Sequence, residues 1–167
     1  SQGGGGYLNS ALSLAYPEQE DITTEQFTYL KNYFQGFENA VYNLSVEHYS
    51  QYIDVDSWVD HNILNMFAKN VDALRLSAYF HKSREGRIQA GPIWDFDRSM
   101  DSYDGRDDDP YTWKGTGDGT DYFNYEWWNR LFMDSDFRLR YADRWFAMRR
   151  GALRTENIDS IIDSMAS

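Results

Sequence analysis

Two stripes of large apolar side chains, each recurring at helical spacing, constrain this chain before anything else does. In the first, Phe27, Leu30, Phe34, Phe37 and Val41 follow Thr23-Thr24-Glu25-Gln26, which reads as a capping box, and the spacing predicts a helix over 24–42. In the second, Val55, Val59, Ile63, Met66 and Phe67 fall on one face, with Asp56 the expected N-cap of a helix ending near Asn70. Neither helix can bury its own stripe, so the chain must fold helix against helix. With 13 Tyr, 10 Phe and 6 Trp in 167 residues, the apolar surface suffices for one domain-sized core and excludes global disorder.

After the second helix the pattern changes. Residues 76–81 alternate and are rich in aromatics, Ser83-Arg84-Glu85-Gly86 supplies turn residues, and 87–90 resumes the alternation, which predicts a β-hairpin stopped by Pro92. From about Tyr125 helical spacing returns, with Trp127, Trp128, Leu131 and Phe132 in one helix and Phe137, Tyr141, Trp145 and Met148 in the next. A last helix is expected over 156–165. The expected class is therefore α+β, mostly helical with a small hairpin. Residues 1–22 read as a flexible lead-in, 23–167 as one lobe, and 101–121 as an acidic loop within it.

Charge narrows the partners. Lys and Arg number 16 against 27 Asp and Glu, a net −11, which repels nucleic-acid phosphates and anionic lipid and favours cations or basic proteins. No run approaches 18 apolar residues, so no membrane span is expected. The absence of cysteine excludes disulfides, thiolate metal sites and cysteine nucleophiles.

The informative segment is 54–100, where a helix leads to Asn70-Val71-Asp72, then the hairpin, then Gly91-Pro92-Ile93-Trp94-Asp95-Phe96-Asp97. Asp95 and Asp97 are two apart, so in an extended segment their carboxylates share one side and can hold one hard cation. The hairpin brings its ends together, so Asp72 approaches that cation without ligating it. A carboxylate beside a metal-bound phosphate, accepting a proton from an attacking hydroxyl, is what phosphoryl transfer to an alcohol requires. Helix, Asp-bearing loop, hairpin and metal-binding Asp-Phe segment follow the order of the large lobe of protein kinases. Arg75 is close enough to Asp72 in sequence to pair with it or to face a phosphate.

Blander readings compete at each position. Asp72, Asp95 and Asp97 also suit turns and caps. Asp95, Asp97, Ser99 and Asp101 alternate as in an EF-hand, but Met100 stands where that loop needs Gly and Arg106 where it needs Glu. His61 and His81 belong to no zinc-type pair and read as surface or helix-packing residues. Trp113, Trp127 and Trp128 would suit a sugar platform, yet the helical pattern around Trp127 and Trp128 favours core packing. Arg75, Arg84, Arg87 and Arg98 read as mostly solvated. The stretch 95–121 holds nine Asp against Arg98, Arg106 and Lys114, which is ordinary solvated surface or a docking face for a basic protein.

Taken together, Tyr52-Ile53-Asp54-Val55-Asp56-Ser57-Trp58-Val59-Asp60, Lys69-Asn70-Val71-Asp72 and Gly91-Pro92-Ile93-Trp94-Asp95-Phe96-Asp97 resemble the CotH kinases, atypical protein kinases named after a bacterial spore-coat protein. Weaker similarity runs upstream through Pro17-Glu18-Gln19-Glu20-Asp21-Ile22-Thr23 and downstream through the Trp127-to-Trp145 helices. The resemblance implies a kinase-like fold, ATP with Mg²⁺ or Mn²⁺, a Ser/Thr-containing protein acceptor, and a spore-coat, cell-surface or secreted setting. By the same resemblance Asp72 corresponds to the catalytic aspartate and Asp95 to the metal ligand, with Asp97 as a second metal contact. Where ordinary kinases carry a metal-holding asparagine, five positions after the catalytic aspartate, this chain has Ser77; Asp97, Ser77 and water remain alternatives for completing the coordination.

Nothing before Thr23 has several strands or a lysine, and the first lysine, Lys31, lies inside the first helix. The expectation is a large lobe alone, with the small lobe supplied upstream or by another chain. The alternative is a non-catalytic scaffold or adhesion module on the same fold.

Overall fold

The computed structural model describes residues 4–5, 11–42, 49–74, 76–111 and 126–166. In chain order these hold β1 (Gly4–Gly5), β2 (Ala11–Leu12), α1 (Thr24–Tyr42), α2 (Val55–Phe67), β3 (Phe80–His81), β4 (Gln89–Ala90), α3 (Glu126–Met133), α4 (Ser135–Arg150) and α5 (Thr155–Ala166). Two antiparallel pairs, β1 with β2 and β3 with β4, accompany the helices, so the described fold is α+β and mostly helical. The first pair, Gly4 with Leu12 and Gly5 with Ala11, falls inside the expected lead-in. No helix among the described residues is long and apolar enough to cross a membrane.

The capping box forms as the sequence predicts. Thr23 N–H donates to Gln26 Oε1 (2.9 Å) and Gln26 N–H to Thr23 Oγ1 (3.2 Å), and α1 starts at Thr24. The second helix departs from expectation at both ends. Its N-cap is Asp54, whose Oδ1 accepts from Ser57 N–H at 3.0 Å, and Asp56 lies in the first turn, where a carboxylate complements the helix dipole. It ends at Phe67 in a Schellman motif: Lys69 N–H reaches the Met66 carbonyl, Asn70 N–H reaches the Asn65 carbonyl, and Lys69 takes the left-handed backbone (φ +50°). That turn places Asn70 and Asp72.

The hairpin is shorter than the alternation over 76–90 suggests. Only Phe80–Ala90 and His81–Gln89 pair. Ile88 instead donates to the Tyr52 carbonyl (2.8 Å) and accepts from Asp54 N–H (2.9 Å), and Ala90 N–H donates to Ser57 Oγ (3.2 Å). The returning strand thus spends its backbone on the start of α2, which ties the hairpin to the helix that leads into the Asp72 loop.

Trp58 is the centre of the core. It is fully buried, with the rings of Phe37, Phe80, Trp127 and Trp128 at 5.0–5.9 Å, and its Nε1–H donates to the Ile88 carbonyl at 3.1 Å. Trp127 donates to the buried Glu38 at 2.9 Å. Trp127 and Trp128 are therefore core residues and form no exposed platform; Trp113 lies outside the described residues.

His61 on α2 is buried and stacks on Trp128, and neither ring nitrogen has a hydrogen-bond partner among the described residues. Burial lowers its imidazole to about 4. The unfolded chain, with an ordinary value of about 6.5, binds the proton first, so stability should fall as pH drops from about 6.5 toward 4, by up to about 3 kcal/mol. Melting temperatures of wild type and His61→Phe, measured from pH 7 to 4.5, should diverge over that window; parallel curves would show that His61 is not buried neutral.

Candidate functional site

The Asp72 loop, the hairpin and the segment after it converge through short polar contacts. Ser77 N–H donates to the Asp72 carbonyl (3.2 Å) while Ser77 Oγ donates to Asp95 Oδ2 (2.9 Å). The fully buried Asn70 donates through Nδ2 to the Asp95 carbonyl at 3.2 Å. One serine and one asparagine therefore pin the two aspartate-bearing loops to each other. Beneath them, Gly91 N–H donates to the Tyr79 carbonyl and its own carbonyl meets His81 Nδ1. Gly91 has φ +126°, a conformation open only to glycine without strain, which is what turns the chain from β4 toward Asp95.

Asp95 does not lie in an extended segment. Its φ is +64°, the left-handed region, and a turn begins at Asp97. The two-residue alternation expected to put the Asp95 and Asp97 carboxylates on one side therefore does not apply; backbone reversal, not pleating, sets their relation. Both residues are exposed, and the Asp97 carboxylate makes no hydrogen bond or ion pair among the described residues. Arg75 lies outside the described residues.

Asp72 is held rather than open. Its side chain is 14% exposed, Oδ2 meets Arg98 Nη1 at 2.8 Å, and Oδ1 meets Arg106 Nη2 at 2.9 Å. Both arginines also reach Asp104, and Arg106 Nη1 donates to the Val71 carbonyl. The Ser102 hydroxyl first, and then Arg106, hold the Asp104 carboxyl down to about 2. Burial works against the Arg106 charge, but its bonds to Asp72 and Asp104 outweigh this and raise it. Arg98, expected to be solvated, has a side chain only 22% exposed and lies over the Tyr103 ring.

Arg106 comes from the first half of the acidic loop and Arg98 from just before it, and this stretch is a folded cap and not merely solvated surface. Buried Asp107 accepts from the backbone N–H groups of Asp101 (2.9 Å) and Ser102 (2.8 Å), and Lys69 Nζ bonds the Asp109 carbonyl. The second half, with Lys114, Asp118 and Asp121, lies outside the described residues. The sequence reading missed Asn70, Arg98 and Arg106 as site residues. A usable signal existed for the arginines: with Lys114 they are the three cations in 95–121, a stretch otherwise crowded with aspartate, where a pairing is electrostatically favoured.

Among the described residues no three Asp, Glu or His side chains gather to hold a metal ion. The donors present, carboxylates of Asp95 and Asp97, are hard oxygens. Mg²⁺ is usually held by one or two carboxylates together with substrate phosphates and water, so this donor set fits an ion that arrives with a nucleotide and not a cage built by protein alone.

The family model described as CotH kinase protein matches residues 4–167. The chain belongs to the CotH kinase family. No curated protein and no solved structure matches it. At the level of the family this makes it a kinase-like enzyme, with the general use of ATP and a divalent metal that kinases share. Within this CotH kinase, two of the three segments that carried the sequence resemblance, 69–72 and 91–97, are those that Ser77 and Asn70 draw together.

Proposed function

We propose that the chain is the large-lobe portion of a CotH-type protein kinase that transfers the γ-phosphoryl group of ATP to a Ser or Thr hydroxyl of a protein. The reading rests on one observation, the junction at Ser77 that sets the Asp72 backbone beside the Asp95 carboxylate. Asp72 orients the acceptor hydroxyl and takes its proton as the acceptor oxygen bonds to the γ-phosphorus; the bond from that phosphorus to the β–γ bridging oxygen breaks, and ADP leaves. Asp95, with Asp97, holds Mg²⁺ or Mn²⁺, which when bound offsets the charge on the phosphate oxygens. Asn70 and Ser77 keep the two loops in register. Exposed Asp97, Asp101 and Asp108 around the cap suit a basic acceptor sequence.

The test is calorimetric. Titration of the full-length protein with Mn²⁺ should show weak binding alone and tighter binding in the presence of ATP, because phosphate oxygens complete the shell. Asp95→Asn should abolish that coupling. Coupling unchanged in the variant would remove Asp95 from the metal site, and absence of coupling in wild type would favour the scaffold alternative.

A further inference from the structure

Arg98 is the cation nearest in sequence to the proposed metal carboxylates, one residue after Asp97, and its Nη1 is already on Asp72. On the phosphoryl-transfer reading the γ-phosphate must sit between the ion on Asp95 and the hydroxyl on Asp72, so Arg98 borders the reacting group from within the site. Two further observations set it apart from Arg106. The Arg98 Nε–H is buried without a hydrogen-bond partner among the described residues, and so is the hydroxyl of the next residue, Ser99. Buried donors in native structures are nearly always paired, and two adjacent unpaired ones beside a candidate phosphate position call for a ligand rich in acceptor oxygens. Arg106 shares with Arg98 its bonds to Asp72 and Asp104, but its Nε–H is paired with Asp104, it also donates to the Val71 carbonyl, and its side chain is only 9% exposed. Arg106 is a staple; Arg98, with 22% of its side chain exposed, is reachable.

We infer that Arg98 is a phosphoryl-contacting residue of this site: its guanidinium, which pairs with Asp72 in this structure, moves to the γ-phosphate when ATP binds, with the Ser99 hydroxyl beside it. The planar fork of arginine matches phosphate oxygens, and contact with the group in transfer counters charge where it develops. The same movement releases Asp72 Oδ2 from its ion pair as the acceptor hydroxyl arrives, so the resting contact and the working one exclude each other. Nucleotide binding thereby prepares Asp72. This inference rests on the phosphoryl-transfer reading above.

The test compares wild type, Arg98→Ala, Arg98→Lys and Arg106→Ala in the full-length protein, with Mn²⁺, by ATP and ADP affinity, transfer kinetics and thermal melts. Arg98→Ala should lower the preference for ATP over ADP about tenfold and kcat by about 10²-fold or more, with the KM for the protein acceptor little changed. Arg98→Lys should recover part of the ATP preference, since charge remains but the fork is lost. Arg106→Ala should lower stability while leaving the ATP-to-ADP ratio intact. Equal losses in Arg98→Ala and Arg106→Ala that track their melts would make Arg98 a structural clamp and overturn the inference, and a rise in kcat on removing Arg98 would overturn it in favour of an inhibitory latch. Should wild type transfer phosphate while Arg98→Ala keeps full discrimination, the inference falls and the kinase reading stands. Failure of wild type to bind ATP with Mn²⁺ or to transfer phosphate overturns both.

Discussion

Asp72→Asn in the full-length protein is expected to lower kcat by on the order of 10²-fold or more, the range for losing a base or an acceptor-orienting group. Metal affinity should change far less, because Asp72 is not assigned as a ligand. The substitution also removes the charge that faces Arg98 and Arg106, and with an Asp72 side chain only 14% exposed the stability cost should be about 1–3 kcal/mol. The two effects separate when kinetics are corrected for the folded fraction measured by thermal melts at the assay temperature. A variant that melts early but turns over normally per folded molecule would make Asp72 a structural anchor for the cap, and the catalytic assignment would fall.

The largest stability effect should come from Trp58→Ala. Truncating a fully buried indole typically costs about 3–5 kcal/mol, and here four rings lose their common contact while the Ile88 carbonyl loses one of its two donors, keeping Asp54 N–H. Against a total of roughly 5–15 kcal/mol for an ordinary domain, that removes from about a fifth of the stability to all of it. Trp58→Phe retains most of the apolar contact and loses the hydrogen bond, so its cost should be nearer 1–2 kcal/mol. Denaturant unfolding of the two variants measures the difference. A Trp58→Ala protein within about 1 kcal/mol of wild type would show that the aromatic cluster is not the core.

Helix α1 shows how far local sequence reaches. Its start is fixed by Thr23 and Gln26, which bond each other within one turn, and its stripe by residues spaced to share a face, so its bounds need no distant contact. The three C-terminal helices were legible for the same reason. The hairpin was legible as an object but not in extent, because the Ile88 backbone chooses Tyr52 and Asp54, more than thirty residues away, over a longer β3. At the site, Asp72, Asp95 and Ser77 stood out through residue type, spacing and family resemblance, whereas the extended geometry assumed for Asp95 and Asp97 failed at a single left-handed φ.

What the sequence by itself determined is what depends on neighbours along the chain: helical periodicity, the capping box, the turn residues of the hairpin, and the motif order that marks the family. What only the tertiary structure decided is what depends on charges and backbone groups distant in sequence. Arg98 and Arg106 lie 26 and 34 residues from Asp72, and Asn70 lies 25 from Asp95. Chain order cannot rank one aspartate over another as their partner. Folding settles it, because the cap brings the two guanidiniums to a poorly solvated carboxylate, where an ion pair with good geometry is favoured over separate hydration and the same charges far apart in water would scarcely interact.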